Sequence, residues 1–108
     1  MHIQIVNFNL KDMSEAEYVR ACDEQFAPAF GNISGLISKV WLSDPSTNTY
    51  GGVYAWEDRD AMLRWQQTEL FQTLVTSPHF ANLTAHDYAV MEGPSRVTNG
   101  IFVAPVRR

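Results

Sequence analysis

Two histidines, His79 and His86, are the side chains of this chain best suited to moving a proton at neutral pH. His79 falls in Ser77-Pro78-His79-Phe80, a turn-like stretch of the kind that often builds the mouth of a pocket. His86 shares a strand face with Tyr88 and Val90, and that apolar company predicts that it points toward the helices. Phe26, Tyr54, Trp56, Trp65 and Phe80 can wall a site for a flat ligand, because aromatic faces stack on planar molecules. Asn7 can donate a hydrogen bond to a developing oxyanion. Together these residues suit acid–base chemistry on a planar, electron-rich molecule in a dry pocket. Each also has a plainer use. The aromatics make an ordinary core, the histidines make structural or surface hydrogen bonds, and a strand asparagine satisfies local backbone.

Other chemistries find less support. His2, His79 and His86 form no HExxH pattern and have no Cys/His cluster beside them, so no metal is expected. Glu57-Asp58-Arg59-Asp60 is explained by helix capping and solvated charge. Gly51-Gly52 lacks the G-x-G-x-x-G layout of a dinucleotide site, and these glycines read as a place where another backbone or a ligand comes close. Cys22 lies on an apolar helix stripe, cannot form an internal disulfide as the one cysteine, and reads as an inert core residue.

The elements that must position these groups are legible in outline. His2 to Leu10 forms a first strand in which Ile3 and Ile5 share one parity and Val6, Phe8 and Leu10 fall on the other. That pattern predicts either burial on both faces or a bulge near Val6. Ser14-Glu15-Ala16-Glu17 is a capping box, and Val19, Cys22, Phe26, Ala29 or Phe30, and Ile33 continue it as a helical stripe. Pro28 weakens or kinks its last turn, and Gly31 and Gly35 mark the exit. Leu36 to Ser43 gives a second strand, Asp44 to Asn48 a turn, and Tyr50 to Glu57 a third strand, which makes a hairpin. In that third strand Tyr50, Gly52, Tyr54 and Trp56 share one face, with Val53 and Ala55 on the other. Asp58 caps a helix carrying Met62, Leu63, Trp65, Leu70, Phe71, Leu74 and Val75. Its stripe is interrupted at Gln66-Gln67, where Thr68 can cap a second, angled piece. Ser77-Pro78 predicts a single helical turn. Thr84 to Glu92 is the last core strand, ended by Gly93-Pro94-Ser95.

The order is β-α-β-β-α-β, a ferredoxin-like α+β fold with an antiparallel sheet and helices on one face. Residues 1–95 make one domain, and 96–108 a C-terminal extension whose Ile101-Phe102-Val103 patch is expected to pack on a partner or a sheet edge. The bare face with Val53 and Ala55 predicts a homodimer about a two-fold axis, a dimeric α+β barrel. With 108 residues and nearly half of them apolar, the chain can bury one modest core. A net charge of −4 with scattered basic residues argues against a nucleic-acid partner. No apolar run approaches the roughly 20 residues that span a membrane, and no signal-peptide layout opens the chain, so a cytoplasmic protein is expected.

Gly51-Gly52-Val53-Tyr54-Ala55-Trp56-Glu57-Asp58 followed by a helix resembles the YdhR-type monooxygenases of the dimeric α+β barrel group, which includes antibiotic-biosynthesis monooxygenases. Phe26-Ala27-Pro28 and Glu92-Gly93-Pro94-Ser95 are similar to the same family in position and type. The resemblance implies a homodimer with a pocket between sheet and helices in each unit. It also implies oxygenation of a small planar aromatic or polyketide-like compound by O₂, with no cofactor expected and a flavin left open. In quinone-forming relatives a tryptophan closing this strand lines the pocket, and Trp56 occupies the similar position. Those relatives tend to carry an asparagine four residues earlier and an aromatic hydroxyl on the next helix, where this chain has Gly52 and Met62. Two further functions stay open: a non-catalytic carrier or sensor of a hydrophobic small molecule, and an isomerase- or decarboxylase-like enzyme using one acid–base group such as His86.

Overall fold

The computed structural model describes residues 1–101, so the expectation for Phe102 and Val103 lies outside the described residues. Four strands, β1 (His2–Leu10), β2 (Leu36–Asp44), β3 (Thr49–Trp56) and β4 (Phe80–Ala89), form one sheet in the order β2-β3-β1-β4. Every neighbouring pair is antiparallel, which is the ferredoxin-like arrangement expected from the element order. β2 and β3 join through a tight turn, the helical segment after β1 crosses to β2 at one edge, and the helices after β3 cross to β4 at the other, which leaves β1 and β3 central.

Strand β1 alternates between buried and half-buried along its whole length. His2, Gln4, Val6, Phe8 and Leu10 lie under the helices, and Ile3, Ile5, Asn7 and Asn9 face away from them. Its pairing with β3 runs without a break from His2 opposite Trp56 to Asn9 opposite Thr49. The mixed apolar parity of this strand is therefore two-sided use of an unbroken strand, not a bulge at Val6. On β3, Tyr50, Gly52, Tyr54 and Trp56 sit opposite the helix-side residues of β1, while Val53 and Ala55 sit opposite Ile5 and Ile3 on the open face.

The first helical segment differs from the expected single stripe. Helix α1 (Glu15–Ala21) opens on the Ser14–Glu17 capping box, passes through a π-helical turn (Cys22–Phe26), and ends in the short α2 (Ala27–Phe30). The residues turned to the sheet are Tyr18, Cys22, Phe26 and Phe30, and Val19 is left exposed. A spacing of four per turn drifts around an ordinary helix. The wider turn, closed by the Ala27 N–H on the Cys22 carbonyl, holds that spacing on one face and precedes Pro28.

After β3, Asp58 caps α3 (Arg59–Gln66) by accepting from the Ala61 N–H at 2.8 Å. Thr68 caps α4 (Glu69–Thr76) in the same way, so the interruption at Gln66-Gln67 is a real break between two helices. Three expectations about the chain's last third are corrected. Ser77 to His79 makes a turn, and β4 begins at Phe80 and ends at Ala89. The stretch expected to end the strand is instead a helix, α5 (Glu92–Val97), anchored where Glu92 accepts from the N-terminal ammonium at 3.0 Å. This helix runs across residue 95, the expected edge of the domain.

Strand β4 starts early because of a bulge. Asn7 pairs with Thr84 but Asn9 pairs with Ala81, so β4 carries an extra residue, and Asn82 adopts a φ of 55°. The bulge reverses the strand's parity. Phe80 thereby joins Leu83 and Ala85 on the helix side, and its ring meets Phe8 at 4.5 Å between centroids.

Candidate active site

Between the helix side of the sheet and the covering helices lies a small aromatic-walled cavity of about 40 Å³. Phe26 comes to it from the π turn, Phe30 from α2, Tyr54 from β3, Trp65 from α3 and Phe80 from β4. Four residues expected to wall a ligand site, Phe26, Tyr54, Trp65 and Phe80, are thus brought together. Tyr54 and Trp65 lie 5.1 Å apart between ring centroids, and Phe30 and Trp65 5.8 Å. Burial holds the Tyr54 phenol protonated far above its ordinary range.

Trp56 stands behind this wall. It is completely buried, stacks parallel to Tyr54 at 6.0 Å, and donates its Nε1–H to the Gln4 Oε1 at 3.3 Å. Gln4 is itself buried and donates to Gln66 at 3.0 Å. Trp56 therefore fixes the pose of Tyr54 and Trp65 and does not face the cavity.

The polar candidates fall elsewhere. His86 pairs with Ile5 across β1 and β4, which places it on the open face and corrects the expectation that it points toward the helices. The apolar neighbours that suggested otherwise, Tyr88 above all, belong to a sheet face that is apolar without helices on it. Asn7 lies on the same open face, opposite Gly51 and Thr84. His79 sits at the end of the β1–β4 pair, where its Nδ1 is 2.9 Å from the Lys11 carbonyl oxygen and its backbone carbonyl accepts from the Lys11 N–H. None of the three borders the cavity. Among the described residues, no three of His, Cys, Asp and Glu come close enough together to hold a metal ion.

Sequence reasoning missed the cavity's charged group, Lys39 on β2. Its Nζ lies 3.5 Å from the ring centroids of both Phe30 and Trp41, and 4.6 Å from that of Tyr54. No carboxylate or other hydrogen-bond partner meets it among the described residues. The ring faces attract an ammonium, but loss of water opposes it. Burial prevails and lowers the Lys39 pKa to about 7. The stem of this side chain passes over Gly52: a Cβ there would come within 2.7 Å of the Lys39 Cε. A signal did exist, since Lys39 and Trp41 share a strand parity and an inward Trp41 requires an inward Lys39.

A second polar atom in the wall has no partner. The Trp65 indole N–H is buried and unpaired among the described residues. Most buried donors are satisfied, so an unpaired one in a cavity wall marks a place for an acceptor.

The fold and site together define an α+β protein of the ferredoxin-like kind, with an aromatic cavity between sheet and helices. The chain belongs to the family described as putative mono-oxygenase ydhR, whose sequence profile matches residues 3–101. Solved structures share the fold. A putative antibiotic biosynthesis monooxygenase from Deinococcus radiodurans is 18% identical with a TM-score of 0.69, over 85% of this chain and 94% of that one. A mutant of SnoaB, a cofactor-independent oxygenase from Streptomyces nogalater, is 19% identical with a TM-score of 0.65, over 84% of this chain and 94% of that one. A MhuD mutant with two manganese protoporphyrin IX molecules bound per active site is 15% identical with a TM-score of 0.63, over 84% of this chain and 95% of that one. No curated protein matches the sequence. None of the helices among the described residues is long and apolar enough to cross a membrane.

Proposed function

We propose that this chain is a monooxygenase acting in the cytoplasm on a small planar aromatic or polyketide-like compound, with the substrate itself supplying the electrons to O₂. The observation that carries this reading is the aromatic cavity between sheet and helices in a member of a mono-oxygenase family. A phenol or anthrone loses a proton to become an electron-rich anion, which passes electrons to O₂. For an anthrone the balance is one O₂ per ring methylene: one oxygen becomes the new carbonyl, and the other leaves as water with the two hydrogens. Phe26, Tyr54, Trp65 and Phe80 would stack on the rings and keep water out, with Trp56 holding two of them in place.

The functional unit in this reading is a homodimer. Ile3, Ile5, Val53 and Ala55 make an apolar strip on the open face, extended by exposed Val40 and Tyr88. An uncovered sheet face of that character fits against a second copy. His79 and His86, the bases expected from residue type, lie outside the cavity within one chain, so their substitution by alanine is expected to leave turnover intact.

Oxygen uptake by the purified protein, measured with a panel of hydroquinones and anthrones, tests the proposal. Uptake of one O₂ per quinone formed from an anthrone is the expected result. A panel that draws no oxygen overturns the reading for those substrates. The small volume of the cavity favours a second reading, a non-catalytic binder of a hydrophobic molecule, which predicts saturable binding without turnover.

A further inference from the structure

Three residues, Phe30, Lys39 and Trp41, form a wall common to two spaces. On one side is the aromatic cavity of about 40 Å³, room for no more than a few waters. On the other is an open groove of about 220 Å³ between α2 and the edge strand β2. Lys39 is the flexible member of that wall. Its four-carbon stem lies in the space that Gly52 leaves, and a rotation about it that joined the two spaces would make room for a fused-ring compound.

Among the described residues, the groups facing Lys39 leave its amine without a resident counter-ion. Phe30 and Trp41 present only ring faces. The titratable groups nearest to it are the Cys22 thiol on the π turn and the Tyr54 phenol on β3, and burial raises the pKa of both, so neither is an anion at neutral pH. A cation-forming amine with no anion beside it, bordering an apolar cavity, is a half-made ion pair. The unpaired Trp65 N–H in the same cavity wall supplies one more donor and, likewise, no acceptor.

We infer that Lys39 is the acid–base and anion-holding group of this cavity, accepting the proton of an acidic aromatic hydroxyl as a neutral amine and then holding the oxyanion as an ammonium, with the Trp65 N–H as a second donor to the ligand. The inference rests on the proposed function only for the class of ligand. The step balances as a proton transfer: the O–H bond breaks, an N–H bond forms on Nζ, and the charge pair stays in contact. A lysine titrating near neutrality is suited to either half of that exchange. The ligand class follows from the wall: flat, apolar in its body, with an ionisable hydroxyl at the edge that meets Lys39.

Alizarin, a planar hydroxylated anthraquinone whose colour changes when its hydroxyl ionises, is a direct probe. Bound to the full chain, its ionisation midpoint is expected to fall by at least about one pH unit, a tenfold preference for the anion. Lys39→Met should abolish that displacement while the chain keeps its fold by thermal melting, and Lys39→Gln gives the same reading should the methionine collapse the groove. Lys39→Arg should keep the displacement, because the charge remains. Trp65→Phe should weaken binding about three- to tenfold. An undiminished displacement in both neutral variants overturns the inference, as does a wild-type chain that takes up no dye. Oxygen uptake separates this from the proposed reaction. A Lys39-dependent colour shift without oxygen consumption leaves Lys39 as the anion holder of a non-catalytic binder. Oxygen consumption unchanged in Lys39→Met removes Lys39 and leaves the reaction standing.

Discussion

An amine among aromatic rings makes the stability of this protein depend on pH in a particular direction. The folded-state pKa of Lys39 is lowered to about 7, whereas an unfolded lysine keeps its proton to about 10.4. Below pH 7 both states carry the charge, and the folded state bears the cost of burying it. Between pH 7 and about 10 the unfolded state binds more protons, so folding stability contributed by this residue rises with pH. The melting temperature of wild type relative to Lys39→Met should therefore climb across that window, by on the order of a few °C, as thermal melts at stepped pH would show. Trp65→Phe removes an unsatisfied buried N–H along with some packing, two effects of opposite sign, so its stability should stay within about 1 kcal/mol of wild type by chemical denaturation.

Two adjacent glycines show how differently one strand can constrain its residues. Gly51 has a φ of 150°, and a Cβ there would lie 1.8 Å from the Val6 carbonyl oxygen, backbone that cannot yield. Gly51→Ala should cost about 2–4 kcal/mol or prevent folding, as denaturant titration would measure. Gly52 is crowded by the Lys39 chain, whose far end can swing away. Gly52→Ala should leave stability within about 1 kcal/mol of wild type yet displace the Lys39 amine, seen as a changed ionisation midpoint for a bound phenol. The order of elements and the face of β3 were readable because alternation there is unambiguous and helices α1, α3 and α4 open on strong caps at Ser14, Asp58 and Thr68. The early start of β4 was not readable, because a bulge at Asn82 reverses parity and makes Phe80 and Leu83 look out of phase. His86 was misplaced for a related reason: an open face rich in Tyr88, Ile3 and Ile5 has the same hydropathy as a covered one. Lys39 escaped because charge is a poor guide to direction, and only its parity with Trp41 pointed inward.

Among the described residues the molecule is a sheet with helices on one side, and the other side carries an uncovered apolar strip around Ile3, Ile5 and Val53. Val53→Arg, at the middle of that face, should convert a dimer to a monomer in analytical ultracentrifugation while leaving the melting of the isolated fold little changed. A monomer in both wild type and variant would remove the two-fold assembly from the proposed function. The distribution of indoles across the molecule has a separate consequence. All three tryptophans of the chain belong to one cluster, with Trp65 and Trp41 in the cavity wall and Trp56 lying 5.4 Å from Trp65. Light absorbed by any of them is therefore emitted from the site, and no remote indole dilutes the signal. The protein carries a built-in optical reporter: its intrinsic fluorescence will register the protonation of Lys39 above Trp41, and the arrival of a ring system beside Trp65, with no label attached.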